Sequence, residues 1–226
     1  MNILAIDCAV SRLCIALKYD DKIISQTLNI GMRQSEMLLP TIDEIIRKMG
    51  AEKSKLDATA LTIGPGSFTG LRLGISALKA IELAFSVPVY GISSLQAYAF
   101  PFKNFNIPIL SCIDANKDKF YASIVDNNNI ILEENDWDIE KIAESALKQK
   151  KLIIAGPDAK KMEAILKDRS DCPEIFTLNN SNFDTAEVLI NITEEMIAQK
   201  KEPLKDFDGP VYLRASEAEI KLSAQN

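Results

Sequence analysis

The sequence predicts an α/β protein built from two halves that repeat one strand-rich unit, and three observations carry this expectation. Apolar runs of strand length alternate with segments whose apolar residues recur at helical spacing. Laying Ile113-Asp114 on Ile6-Asp7 without a gap brings Phe120 onto Leu13, Ile124 onto Leu17, the Asn127-Asn128-Asn129 turn onto Asp20-Asp21-Lys22, and Ile130-Ile131 onto Ile23-Ile24. Between the halves' first strands lies Gly64-Pro-Gly-Ser-Phe-Thr-Gly-Leu-Arg-Leu-Gly74, a strand-to-helix turn around which the first half is organised. The repeat places the domain boundary near residue 103, giving halves 1–103 and 104–226.

In chain order, Ile3 to Ile6 forms a strand ending at Asp7, Leu13 to Leu17 a second, and Ile23 to Ile30 a third beyond the Tyr19-to-Lys22 turn. A helix begins near Ser35, with Leu38, Leu39, Ile42, Ile45, Ile46 and Met49 as its apolar stripe, Pro40 near its first turn and Gly50 at its end. Ala58 to Ile63 is a strand. At the glycine junction, Gly64 and Gly66 permit positive φ or close backbone approach, and Ser67 or Thr69 can cap the helix that runs from about Gly70 to Phe85. That helix keeps its polar residues Arg72, Ser76, Lys79 and Glu82 on one narrow stripe, so it should be covered on two sides, with Gly74, Ala77, Ala80 and Ala84 allowing close approach by a helix of this chain or of another. A strand from Val87 to Tyr90 and a short helix after Ser93-Ser94 close the half. The second half continues with a helix from Ile139 to Lys150, a strand from Leu152 to Ala155, the Gly156-Pro157-Asp158 turn, a helix from Ala159 to Lys167, a strand from Ile175 to Thr177 and a helix from about Thr185 to Lys200. Pro210 to Arg214 should dock onto the body.

Composition narrows the chemistry. At 226 residues, 47% hydrophobic and 26% charged, the chain is globular, and no apolar run reaches membrane-spanning length. The first apolar run is broken by Asp7 and has no basic flank, so a cytoplasmic protein is expected. Four cysteines without a Cys-x-x-Cys pair read as free buried thiols. The absence of histidine removes the commonest general base and zinc ligand, and with it Ser-His and Cys-His catalysis. A net charge of −6 argues against independent nucleic-acid binding, so any RNA contact would need a basic partner.

The candidate functional residues fall in two groups. Asp7 and Asp114, each at the end of a first strand, could position a metal-bound phosphate or water, and Gly64, Gly66 and Ser67 could hold an anion at the helix start. Their bland alternative is turn capping and tight packing. The junction lacks the Gly-Lys-Ser/Thr of a Walker loop, and Cys8-Ala9-Val10 follows Asp7 where a working phosphate loop would offer hydroxyls or glycine, so nucleotide binding should be poor. No catalytic residue and no metal ligand is assigned.

Ile3-Leu-Ala-Ile-Asp7, Ser35-Glu-Met-Leu-Leu-Pro40, the glycine junction, Gly91-Ile-Ser-Ser-Leu95, Asp114-Ala-Asn-Lys and Pro210-Val-Tyr-Leu-Arg214 together resemble the bacterial TsaB family, formerly called YeaZ. The resemblance implies a two-lobed fold similar to the actin, hexokinase and Hsp70 ATPases with a degenerate nucleotide site. It also implies a non-catalytic role in forming N6-threonylcarbamoyladenosine at position 37 of tRNAs reading codons that start with A. In such systems a paralogue, TsaD, carries the metal ligands and transfers the threonylcarbamoyl group, TsaB pairs with it, and the ATPase TsaE joins them. No cofactor is then required, and weak binding of ATP with magnesium and a homodimer of the chain alone are both left open. Ser35, Glu36, Leu39, Arg72, Gly74, Ala77, Ala80 and Ile81 become the candidate partner interface. The chain departs from the family pattern at Gln34, where a His usually precedes the Ser-Glu-x-Leu-Leu-Pro segment; if that His contacts the partner, the contact here differs. An independent kinase or ATPase of the same fold, and more remotely a peptidase, are the competing readings.

Overall fold

A computed structural model describes residues 1–127, 129–177 and 184–214; Asn128 of the second hairpin turn lies outside them. The first sheet orders β3 (Lys22–Asn29), β2 (Arg12–Tyr19), β1 (Ile3–Asp7), β4 (Ala58–Gly64) and β5 (Val89–Ser93). β1 runs antiparallel to β2 and parallel to β4. The second sheet repeats this layout with β8 (Asn129–Asp138), β7 (Lys119–Asp126), β6 (Ile109–Asp114), β9 (Lys151–Ala155) and β10 (Glu174–Thr177). The duplication expected from the sequence is therefore present.

β1 is buried along its whole length because both faces are covered, and its unbroken Ile-Leu-Ala-Ile run is the pattern such a strand requires. α1 (Gln34–Met49) and α2 (Phe68–Phe85) pack over Leu4, Ile6, Leu13, Ile15 and Leu61. The edge strand β3 instead alternates exposed and half-buried residues. On the opposite face α6 (Thr185–Ala198) sets Ala186, Leu189 and Ile190 against Ile3, Ala5, Ala16, Ala58 and Ala60, whose small side chains admit the helix closely. In the second sheet α4 (Ile139–Ala146) and α5 (Ala159–Lys167) cover Leu110, Cys112, Phe120, Ile124 and Ile154. A short helix, α3 (Ser94–Ala99), is capped by Ser93, as the sequence suggested.

The chain forms two compact units, and they do not divide at one point near residue 103. The first holds Met1–Pro101 and also the stretch carrying α6 up to Pro210; the second runs from Phe102 through β10 and takes up the chain again at Val211. α6 joins the first unit because its apolar face completes that unit's core. Pro40 differs too: α1 starts at Gln34, behind a 3-10 turn over Gly31–Arg33, so the proline sits in the second turn rather than the first. The tail docks through Arg214, whose guanidinium donates to both carboxylate oxygens of Asp136 at 2.7 and 2.8 Å and to the Ala115 carbonyl at 2.8 Å.

Candidate functional site

The glycine junction is occupied by the chain itself. Gly64 has φ +126° and a cis bond to Pro65, and Ser67 caps α2 by accepting from the Gly70 amide. The turn after Asp7 lies directly on this helix start. The Ser67 amide donates to the Ala9 carbonyl at 2.6 Å, and a Cβ on Gly66 or Gly70 would overlap the carbonyl oxygen of Ala9 or Cys8 respectively. These glycines thus serve close approach of one backbone to another. An anion at the helix start would have to displace the Ala9 carbonyl from the Ser67 amide.

Gln34 fastens the same turn from α1. It is 7% exposed, and its Nε2 donates to the carbonyls of Val10 at 2.5 Å and Arg12 at 3.0 Å. The residue that departs from the family pattern is therefore turned inward, toward its own chain, rather than outward toward a partner. The sequence signal was the unusual residue itself; its role depends on a contact 22 to 24 positions away.

Asp7 is 1% exposed. Its Oδ1 accepts from the Thr62 hydroxyl at 2.7 Å and the Ala9 amide at 2.9 Å, and Thr185 lies against the carboxyl without a well-formed bond. Burial pushes its pKa above the ordinary carboxylate range, and the hydrogen bonds from Ala9 and Thr62 only partly oppose that. Burial also raises the neighbouring thiols: Cys8 is pushed up strongly and Cys14 to about 12, with the Asp7 charge adding to both. Neither thiol is a nucleophile at neutral pH.

Asp114 is placed differently. Its Oδ2 pairs with Lys161 of α5 at 2.5 Å, its Oδ1 accepts from the Asn116 amide, and its own amide donates to Asp158. Burial acts to raise its pKa, but the Lys161 hydrogen bond, the Asn116 amide and the Lys161 charge outweigh it and hold the carboxyl below the usual range. The register explains why the two aspartates are not equivalent. Leu13 and Phe120 do correspond, since both face the helix pair over their sheet. Asp7, however, pairs with Cys14, whereas Asp114 pairs with Phe120. Asp114 thus stands one position later along its strand, on the opposite face from Asp7, and the ungapped overlay is off by one residue in the first strand. In the second unit Gly156 also lies close to backbone, since a Cβ on it would overlap the Cys112 carbonyl, but that carbonyl belongs to β6 itself and not to the turn after it.

The candidate interface residues separate into two sets. Gly74, Ala77 and Ile81 are buried inside the first unit, Gly74 against Leu61 and Cys8, so they belong to this chain's own core and not to a partner surface. Ser35, Glu36, Leu39, Arg72 and Ala80 are exposed. The exposed stripe of α2 runs through Arg72, Ser76, Ala80 and Leu83, with Leu83 89% exposed, and α1 adds Leu39 at 59%. Lys79 and Glu82 lie off this stripe, half-buried and paired with each other at 2.7 Å. Among the described residues, no helix is long and apolar enough to cross a membrane.

Two five-stranded α/β units of one topology give the molecule the duplicated, actin-like α/β fold expected from its sequence. The inorganic polyphosphate/ATP-glucomannokinase of an Arthrobacter species matches this fold with a TM-score of 0.53 over 86% of this chain and 99% of its own, at 11% identity. A Pseudomonas aeruginosa protein described as similar to the peptidase YeaZ matches with a TM-score of 0.77, covering 94% and 99% at 24% identity. In sequence, the tRNA threonylcarbamoyladenosine biosynthesis protein TsaB of Bacillus subtilis is 26% identical over 98% of this chain and 97% of its own. The family model TsaD, described as tRNA N6-adenosine threonylcarbamoyltransferase, matches residues 31–201. The chain belongs to this family, and within it to the TsaB (YeaZ) proteins.

Proposed function

We propose that this chain is a non-catalytic, cytoplasmic subunit of the machinery that forms N6-threonylcarbamoyladenosine on tRNA, pairing through α1 and α2 with a TsaD-like paralogue that carries the metal and the chemistry, and meeting a TsaE-like ATPase and tRNA only within that assembly. The observation that carries this reading is the filled helix start: the Ser67 amide is bonded to Ala9, and Gln34 holds the turn in place. The absence of histidine and the high pKa of Cys8 and Cys14 support the same conclusion, since no activated nucleophile is at hand. The uncovered stripe through Ala80 and Leu83 supports pairing, because a contiguous apolar surface on a helix favours a partner. Left alone, the same stripe would favour a homodimer. The test is to incubate the protein with threonylcarbamoyl-AMP and unmodified tRNA, with and without the paralogue. Modified adenosine should form only with both; turnover by this protein alone would overturn the reading. Ala80→Arg should abolish co-elution with the paralogue without lowering the melting temperature.

The glucomannokinase-like fold is the one observation favouring an independent ATPase. Calorimetry with ATP and magnesium decides it: micromolar binding lost in Asp7→Ala would establish that alternative, while weak or absent binding supports the scaffold.

A further inference from the structure

The turns that follow β1 and β6 span the same number of residues, 8–11 and 115–118, but differ in backbone conformation. No residue of the first has positive φ, whereas Asn116, Lys117 and Asp118 stand in the left-handed region one after another, at φ +60°, +56° and +56°. Asparagine and aspartate enter that region singly, but a lysine between them completes a short left-handed coil in which each Cβ crowds the following carbonyl. Such a run persists only where its surroundings hold it.

Within the loop the Asn116 amide donates to the Asp114 carboxylate at 2.8 Å, the Ala115 amide to the Lys119 carbonyl at 3.0 Å and the Lys119 amide to the Asn116 carbonyl at 3.2 Å. From outside, the Ile139 amide at the start of α4 donates to the Asp118 carbonyl at 3.4 Å. The tighter external tie is Arg214, 99 positions along the chain from Ala115. While its Nη1 donates to the Ala115 carbonyl at 2.8 Å, its Nε and Nη2 fork onto Asp136, the β8 partner of Tyr121, and the guanidinium stands 5.8 Å from the Tyr121 ring centroid. The ion pair is shielded, with 26% of the Arg214 and 11% of the Asp136 side chain exposed, so either charge left alone there is poorly solvated. Val211 and Tyr212 keep 44% and 38% of their surface exposed. Apolar burial therefore holds the tail weakly, and the Arg214 cluster is what seats it.

We propose that residues 211–214 are a conformational latch on the loop 115–118: with Arg214 seated the loop keeps its left-handed form, and with Arg214 withdrawn it relaxes to an ordinary turn and the bond from Asn116 to Asp114 opens. Whatever displaces the tail thereby changes the surroundings of Asp114 and the start of α4 without touching either.

The test combines amide hydrogen exchange with thermal melts of the unaltered protein, of Arg214→Ala, and of Arg214→Leu joined to Asp136→Asn, the last because it removes the tie without stranding a charge. Both variants should stay folded and exchange the Ala115, Asn116 and Lys119 amides about tenfold faster or more, while the Cys112 and Ala122 amides in the paired strands keep their parent rates. Unchanged exchange at the three loop amides in the doubly substituted protein, or loss of its whole fold, refutes the latch. Lys117→Gly supplies an independent reading. Glycine carries no Cβ penalty at positive φ, so this substitution should raise the melting temperature of the parent by about 2 °C and lose that gain in either Arg214 variant, where the loop is already relaxed. An equal gain with and without Arg214 means that the loop keeps its form without the tail, and no gain in the parent means that it stores no strain. Either outcome overturns the proposal.

Discussion

Asp7 and Asp114 end the first strands of two sheets with one topology, yet they live in opposite chemical surroundings. Asp7 faces the α6 side of its sheet, buried and held by Thr62 and the Ala9 amide, and its pKa is raised. Asp114 faces the α5 side of its own sheet, half-buried and paired with Lys161, and its pKa is lowered. A shift of one residue along a strand produces this difference, because side chains alternate between faces with period two. The lesson is that a repeat can preserve topology while exchanging what each copy of a residue touches.

The close backbone approaches behind these strands offer the largest test. Gly70→Ala and Gly156→Ala each drive a Cβ into a backbone carbonyl, of Cys8 or Cys112, and should cost about 3 kcal/mol in urea unfolding. Gly156→Ala should be the worse because that residue also has φ +108°. If both are tolerated, close backbone approach is not what the two units share. Gln34→Ala tests how the first unit's turn is fastened. It leaves the Val10 and Arg12 carbonyls without their donor and should cost about 2 kcal/mol. An unchanged melting temperature would show that the turn is held without α1.

The pH dependence separates the aspartates by sign. A raised pKa means that folded Asp7 retains a proton the unfolded chain has lost, so its contribution is full below the ordinary carboxylate pKa and is lost as pH rises through the folded value. The melting temperature of Asp7→Asn should accordingly gain on that of the parent as pH rises from acid toward neutral. Asp114 behaves oppositely: its contribution is present above the ordinary carboxylate pKa and is lost as pH falls through the lowered value. Asp114→Asn should be the smaller effect, under about 1 kcal/mol near neutral pH because the pair is partly solvated, and the deficit should close in acid. Melts of the two variants between acid and neutral pH check both; parallel curves would mean the carboxylates share one environment after all.

Much of the first unit was legible in the sequence. The apolar run before Asp7, the stripe from Leu38 to Met49 and the glycine junction each dictate their element locally, and each is found where the pattern places it. The sites were less legible. Gly74 and Ala80 look alike as small residues on one helix, but Gly74 packs on Leu61 and Cys8 whereas Ala80 is open to solvent. The pattern marks which residues can approach closely, not which neighbour approaches them.

What the sequence by itself determined is the alternation of strands and helices, the duplication, and the lack of any histidine-based chemistry, because these follow from periodicity and from residue inventory. Tertiary structure alone decided that α6 joins the first unit, that the Cys8-Ala9 turn fills the start of α2, and that Gln34 points inward. Each of these depends on contacts between residues far apart in the chain, whose partners are chosen by the shape and burial of the assembled core rather than by any local preference.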